Sequence, residues 1–414
     1  MNEEIKNIVI LGGGQSASYA ATEIRKYNSS ANISIISDEK YLPYERPPLS
    51  KDCLLNKMEY SDCSFFEKDF YKNNNINLSF EESVEDLDFK SQRVKTSKRK
   101  DVPYDKLLIA LGSSNKKFIK TGISDENFFY LRDVNESKKI KEKMLTSNNI
   151  LIIGGGFIGL ELASSANQLK KNVCVVEMGP QLMGRIIPEK IAKIVQQKHE
   201  AHGVVFNLNT KVINIITDNN NIYEVELSNG KTMKFDMIIA GIGSEPNTKL
   251  FHNTDLKIDN GIITNEYCET SVEHVYAAGD VANFYHPFYE MNMRLESWKH
   301  AQSHGAHAGK NIIGEKQIYN EIPWMWSDQF DLNLQLTGLC QDFDTFVERG
   351  TSATEGLIHF FIKNRKIIGA CGVGVGGKIG RDIKLASKIS QVKIKVTKEI
   401  LSNEKFKLNK LLVQ

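Results

Sequence analysis

Two glycine-rich turns carry the first chemistry in this sequence. Gly12, Gly14 and Ala17 form a GxGxxA turn inside IKNIVILGGGQSA (residues 5–17). Gly154, Gly156 and Gly159 form the full GxGxxG turn inside NILIIGGGFIGLELA (149–163). Glycines let a backbone approach a pyrophosphate, and the helix that follows presents N–H groups and the positive end of its dipole. Each turn leads through a helix to a second apolar run that ends in an acid. NISIIS (32–37) ends at Asp38, and NVCVVE ends at Glu177. A carboxylate there accepts hydrogen bonds from ribose hydroxyls. Glu177 suits the free 2′-OH of NADH and repels the 2′-phosphate of NADPH. Two such cradles imply two dinucleotides, and a nicotinamide paired with a flavin is the economical choice, because one gives a hydride and the other takes it.

Other segments hold candidates of their own. The turn Ala278-Gly279-Asp280 follows an apolar strand and would bring a carboxylate near a ribityl chain, although in isolation it reads as a plain turn. In YLPYERPPLSK (41–51) the prolines stiffen the chain, so Lys51 at its end is held in place. Glu161 lies two residues past the last glycine of the second turn and starts its helix, where the dipole would stabilise a carboxylate. The sharper expectation is that Lys51 and Glu161 meet beside a flavin ring. His300, His304 and His307 fall at i, i+4 and i+7, so one helical face could carry all three. No matching cysteine or carboxylate set accompanies them, so no metal is expected. The start of that helix, at Ser297-Trp298, is better suited to stabilising negative charge on a reduced flavin. Trp324 and Trp326 lie two apart, on one side of a strand, where either packs a core or covers a ring-shaped cofactor. The basic run QRVKTSKRK (92–100) reads as a solvated hairpin.

The elements around these residues are buried strands. Their apolar runs are continuous rather than alternating, as in parallel sheets covered on both faces. YDKLLIALGS (104–113), FDMIIAGIGSEPN (235–247) and HVYAAGDVANF (274–284) each end in a small-residue turn where a sheet edge meets a ligand. The chain has 414 residues, enough for about three domains at ~150 residues each. Lys plus Arg is 53 and Asp plus Glu is 51, a formal charge of +2 that gives no global pull toward nucleic acid or anionic membrane. Hydrophobic residues are 41% and charged residues 25%, which excludes a disordered chain. Mean hydropathy is −0.33, and no run reaches the ~18 apolar residues of a membrane span. MNEEIKN is acidic and is not read as a signal peptide. Six cysteines are scattered without CxxC spacing, which speaks for a reducing, cytoplasmic setting.

Together GGGQSA, LPYERPPLSK, ALGS, GGGFIGLE, AGIGSEPN, AAGD, RLESW and PWMWSDQ resemble the NADH-dependent, FAD-containing ferredoxin reductases of oxygenase systems, the putidaredoxin, biphenyl dioxygenase and rubredoxin reductase group. LPYERPPLSK and PWMWSDQ are the most selective marks. The resemblance implies an α/β fold with two Rossmann-like dinucleotide-binding domains, glutathione-reductase-like, and a C-terminal α+β interface domain. The expected boundaries are 1–113 with 236–318 for FAD, 114–235 for NADH and 319–414 for the interface. It implies FAD contacts at Gly12, Gly14, Ser16, Ala17, Asp38, Arg46, Lys51, Val84, Ala110, Arg132, Gly279, Asp280 and Trp298. It implies NADH contacts at Gly154, Gly156, Phe157, Ile158, Gly159, Glu161, Glu177, Arg185 and Gly243. Lys51 and Glu161 would be the charged pair beside the flavin, and Trp326 would line its nicotinamide side. The implied partner is a [2Fe–2S] ferredoxin or a rubredoxin, and the chain is expected as a monomer or weak dimer. Two departures stand out: Ser16-Ala17 replaces the usual Ala-Gly, and GVGVGGKIGRD (372–382) replaces an Asn-Arg-Pro-like segment of the interface domain.

Three other readings share these motifs. A disulfide or peroxide reductase needs a reactive cysteine at the flavin, and Cys53 is the one candidate. A monodehydroascorbate-type reductase is disfavoured by PWMWSDQ. A non-catalytic NADH-responsive signalling flavoprotein is disfavoured by the balanced charge and the lack of a long insertion.

Overall fold

The computed structural model describes residues 5–118, 126–184, 186–217 and 222–413. The chain divides into two compact units. The first comprises 1–45, 61–114 and 244–321, and the second 46–60, 115–243 and 322–414.

The first unit is built on a five-stranded parallel sheet. Its strand order is Val275–Ala277, Lys106–Ile109, Asn7–Leu11, Asn32–Ile36, Ile76–Ser79. Alternate residues of one strand bury on opposite faces. Ile8 and Ile10 join Ala17, Ala20 and Ile24 of the helix Gln15–Tyr27, while Val9 and Leu11 join Leu107, Ile109 and Val275. That two-sided burial is why the run is continuously apolar. The helix Trp298–Ile312 packs on Gln15–Tyr27 at backbone distance. A Cβ built at Gly305 would lie 2.3 Å from the Ser16 carbonyl oxygen, so only glycine permits this approach.

The basic run lies mostly in the hairpin of strands Arg93–Thr96 and Asp101–Pro103. Arg93 pairs with Asp101 at 2.7 Å, Lys95 with Asp86 at 3.1 Å and Lys100 with Glu82 at 2.8 Å, so local acids offset much of its charge.

The second unit repeats the arrangement. Its parallel sheet runs Val205–Asn207, Asn172–Val176, Asn149–Ile153, Met237–Ala240, Phe128–Phe129. Met237–Ala240 pairs with Ile150–Ile153, so the chain leaves this unit after Gly243 rather than at the expected 235/236. Residues 46–60 also belong here and not with the first cradle. The C-terminal stretch forms an antiparallel sheet in the order Trp324–Gln329, Leu332–Gly338, Lys366–Val375, Leu357–Lys363, Thr345–Arg349. Its Leu334, Leu336 and Val373 share one core with Leu160, Ile191 and Val195. Residues 322–414 of the expected interface segment are thus part of the second compact unit, and 319–321 stay with the first.

Candidate functional site

The first cradle opens where the strand Asn7–Leu11 ends. Gly12 takes φ +105°, a conformation that side chains resist, and donates its N–H to Ile36 O at 2.8 Å. Gly14 begins the helix with no side-chain cap, and no acid lies in the first turn. A Cβ at Gly14 would meet nothing within 4 Å, so open space lies over the helix start. These N–H groups lack intrahelical acceptors and suit a phosphate. Ala17 is buried. Ser16 donates its hydroxyl to Ala301 O at 2.8 Å, which ties the two packed helices together. Asp38 is exposed, two residues past the strand end. Ala110 follows Lys106–Ile109, and Val84 starts a strand beside the core.

Gly279 adopts φ +76°, and Asp280 Oδ2 accepts from Ser113 Oγ at 3.0 Å. The helix begins at Trp298 as the sequence indicates, capped by Ser297, whose hydroxyl accepts from His300 N at 3.3 Å. The three histidines on it have separate partners. His300 Nδ1 meets Tyr319 Oη at 3.0 Å, His304 Nδ1 accepts from Gly279 N at 3.2 Å, and His307 Nδ1 donates to Ser303 O at 2.9 Å. Burial lowers His300 to about 4 and holds His304 well below its usual value. Among the described residues no cluster of three or more His, Cys, Asp or Glu is arranged to hold a metal ion.

The second cradle matches the first. Gly154 has φ +105°, and Gly156 begins the helix Phe157–Gln168 with no side-chain cap, no acid in the first turn and open space above it. Gly159 sits so close that a Cβ there would lie 2.2 Å from Gly154 O. Ile158 is exposed in the first turn, whereas Phe157 packs on the core. Glu177 stands at the strand end and accepts from Gly155 N and Gly179 N, both at 2.7 Å. Gly243 takes φ +107° beyond Met237–Ala240. Arg185 lies outside the described residues. By these cradles, the residues present fit two dinucleotides.

Lys51 and Glu161 do meet, within the second unit. The short 3-10 turn Pro47–Ser50 is pinned by Ser137 Oγ on Leu49 O (2.8 Å) and Ser165 Oγ on Ser50 O (2.7 Å). Lys51 follows, with its Nζ 3.3 Å from Glu161 Oε1 and 3.7 Å from Asp328 Oδ2. Contrary to the expectation from the sequence, Glu161 does not start its helix. It occupies the second turn and is 5% exposed, because the helix begins at Phe157 and turns this side chain inward. Its carboxylate accepts from Ser50 Oγ at 2.5 Å and Ser327 Oγ at 2.7 Å. Burial pushes the Glu161 carboxyl up, while Lys51 and the two hydroxyls pull it down.

Trp326 lies with its ring centroid 5.7 Å from Lys51 Nζ and donates its Nε1–H to Asp328 Oδ2 at 3.0 Å. Trp324 stacks on it at 5.2 Å and 20°, as their spacing on one strand face requires. Arg46 Nη1 donates to Arg132 O at 2.6 Å, so Arg46, Lys51 and Arg132 all belong to the second unit. Ser50 and Ser327 escaped the sequence reading although each adjoins a residue it chose. None of the six cysteines is in a disulfide, and Cys53 is fully buried. Burial raises the Cys174 thiol to about 11 and the Cys340 thiol to about 12, which disfavours the thiolate at both.

Two sheet-borne glycine cradles, each with an acid after its second strand, define a two-dinucleotide oxidoreductase. Residues 6–305 match the pyridine nucleotide-disulphide oxidoreductase family and 324–412 match the reductase C-terminal family. The chain belongs to the pyridine nucleotide-disulphide oxidoreductase family, in its branch of ferredoxin– and rubredoxin–NAD(+) reductases. It is 33% identical over 378 residues to the ferredoxin–NAD(+) reductase component of the anthranilate 1,2-dioxygenase system of Burkholderia cepacia, covering 90% of this chain and 92% of that one. It is 32% identical to rubredoxin–NAD(+) reductase of Ectopseudomonas oleovorans, over 87% of this chain and 94% of that one. The crystal structure of the ferredoxin reductase for the CYP199A2 system of Rhodopseudomonas palustris superposes with a TM-score of 0.92 at 29% identity, covering 98% of this chain and 99% of that one. Putidaredoxin reductase, in its covalent complex with putidaredoxin, also gives 0.92, at 26% identity over 99% and 98%.

Proposed function

We propose that this chain is an NADH-dependent, FAD-containing reductase that delivers electrons singly to a [2Fe–2S] ferredoxin or a rubredoxin serving an oxygenase, an activity of class EC 1.18.1. FAD, when bound, takes a hydride from NADH and returns the two electrons one at a time. The observation that carries the reading is the presence of two uncapped glycine cradles on two parallel sheets of one chain.

The first-cradle helix and the Gly279-Asp280 turn would hold FAD, with Asp38 toward the ribose. The second-cradle helix would hold the NADH pyrophosphate, and Glu177 would select the unphosphorylated ribose. Lys51, Glu161 and Trp326 take the catalytic roles implied by their motifs. Hydride transfer itself needs no general acid or base, so the chain's task there is orientation and charge balance. We place the protein in the cytoplasm as a monomer or weak dimer. The test is an anaerobic titration with NADH, followed by cytochrome c reduction through candidate ferredoxins and rubredoxins from the same genome. Flavin bleaching by NADH with carrier-dependent turnover is expected. A colourless protein that cannot be reconstituted with FAD would end the reading.

A further inference from the structure

A run of buried hydrogen bonds leads away from Glu161 inside the second unit. Ser327 Oγ lies 2.7 Å from Glu161 Oε1, Gln329 Nε2 lies 3.1 Å from Ser327 Oγ, and His199 Nε2 lies 2.9 Å from Gln329 Oε1. Glu161 is 5% exposed, Gln329 2%, and Ser327 and His199 are fully buried. Ser327 and Gln329 come from one strand, Glu161 and His199 from two different helices.

The direction of these bonds follows from the inventory of donors. An ionised carboxylate only accepts. Ser327 must then donate to Glu161 and accept from the Gln329 amide. Gln329 has its carbonyl oxygen left to accept, so His199 must carry its proton on Nε2. Every donor in the run points toward Glu161. The opposite polarity needs a protonated Glu161, a flipped Gln329 amide and the His199 proton on Nδ1. His199 Nδ1 is buried and has no hydrogen-bond partner. Reversal would strand a buried N–H, whereas the first polarity strands only a bare acceptor nitrogen, the less costly defect.

We propose that Ser327, Gln329 and His199 are positioning residues, forming a one-way relay that orients Glu161 as a carboxylate against Lys51. The proposal deepens the function above and rests on it only for its kinetic readout. The ionisable groups facing the relay are Lys51, Asp328 beside Lys51, and His202 near His199. Burial lowers His199 to about 4, so the ring is neutral near neutral pH, as the relay requires. Removing the Ser327 hydroxyl deletes a donor that favours the charged form, so the Glu161 carboxyl must rise further.

The test uses full-length, FAD-loaded protein. Nitrogen NMR of the histidine side chains, with the His199 signal assigned by its loss in His199→Gln, reads the tautomer in the unmutated protein. A neutral Nε2–H ring across roughly pH 6–8 is expected. An Nδ1–H ring overturns the relay. Ser327→Ala is then compared with Ser327→Thr, which restores a hydroxyl. The carboxylic-acid stretch in the infrared follows Glu161 protonation, and NADH-driven bleaching of the flavin follows the reaction. In Ser327→Ala the infrared titration should move up by about one pH unit, with Ser327→Thr close to the parent. An unmoved infrared titration overturns the relay. A moved infrared titration with an unmoved kinetic profile supports the relay and removes Glu161 from the reaction, so the two failures are distinguishable.

Discussion

Glu177 accepts the Gly155 amide hydrogen through Oε2 and the Gly179 amide hydrogen through Oε1, both at 2.7 Å. The acid that is proposed to read the ribose also braces the turn that is proposed to hold the pyrophosphate. Glu177→Gln keeps an acceptor for one amide but loses the charge. Its kcat/KM for NADH should fall about tenfold or more, with a smaller loss for NADPH. Steady-state kinetics with both coenzymes check this, and comparable values for both in the parent protein would contradict the NADH assignment.

Lys51 faces a carboxylate that has almost no contact with solvent. Lys51→Ala leaves that carboxylate without its cation. The rate of flavin bleaching by NADH should drop by roughly tenfold or more, while FAD retention changes little. Stopped-flow reduction at the parent rate would remove Lys51 from the catalytic set.

His199 and His300 are both held at about 4, below the usual 6.5, by burial. The unfolded chain therefore binds protons that the folded chain refuses between those values. The stability these neutral rings provide is complete above pH 6.5 and is lost as pH falls toward 4. Each ring contributes up to roughly 3 kcal/mol to that loss. Thermal unfolding midpoints should fall across this window, and His199→Gln should flatten the dependence. A midpoint that stays level from pH 6.5 to 4 would contradict the burial of neutral rings.

A Cβ at Gly279 would lie 2.3 Å from Ser16 Oγ, and the backbone there has φ +76°. Gly279→Ala must either turn the Ser16 hydroxyl away from Ala301 O or shift the turn, and its side chain is strained at this φ in either case. The expected result is loss of FAD on gel filtration and a stability cost of about 1–3 kcal/mol. Full flavin occupancy in this variant would show that the turn is not part of the flavin site.

Full reduction by NADH should release no new thiols, because none of the six cysteines is in a disulfide. Two additional titratable thiols after NADH would favour the disulfide-reductase alternative instead.

Much of the architecture was legible from local signals. Continuous apolar runs ending in glycine turns announce parallel strands buried on both faces, and the structure places both cradles, the start of the helix at Trp298 and the paired tryptophans where those signals put them. These features depend on residues close in the chain, so spacing alone defines them. The strand Met237–Ala240 is visible in the sequence, but only its pairing with Ile150–Ile153 decides which sheet owns it. The depth of Glu161 was likewise hidden, since a helix position shows its face only once its neighbours are known. His199 gave no sign at all. It reaches Glu161 through Gln329 and Ser327, residues more than a hundred positions away, and no local pattern encodes a hydrogen bond that exists only after two helices and a strand have packed together.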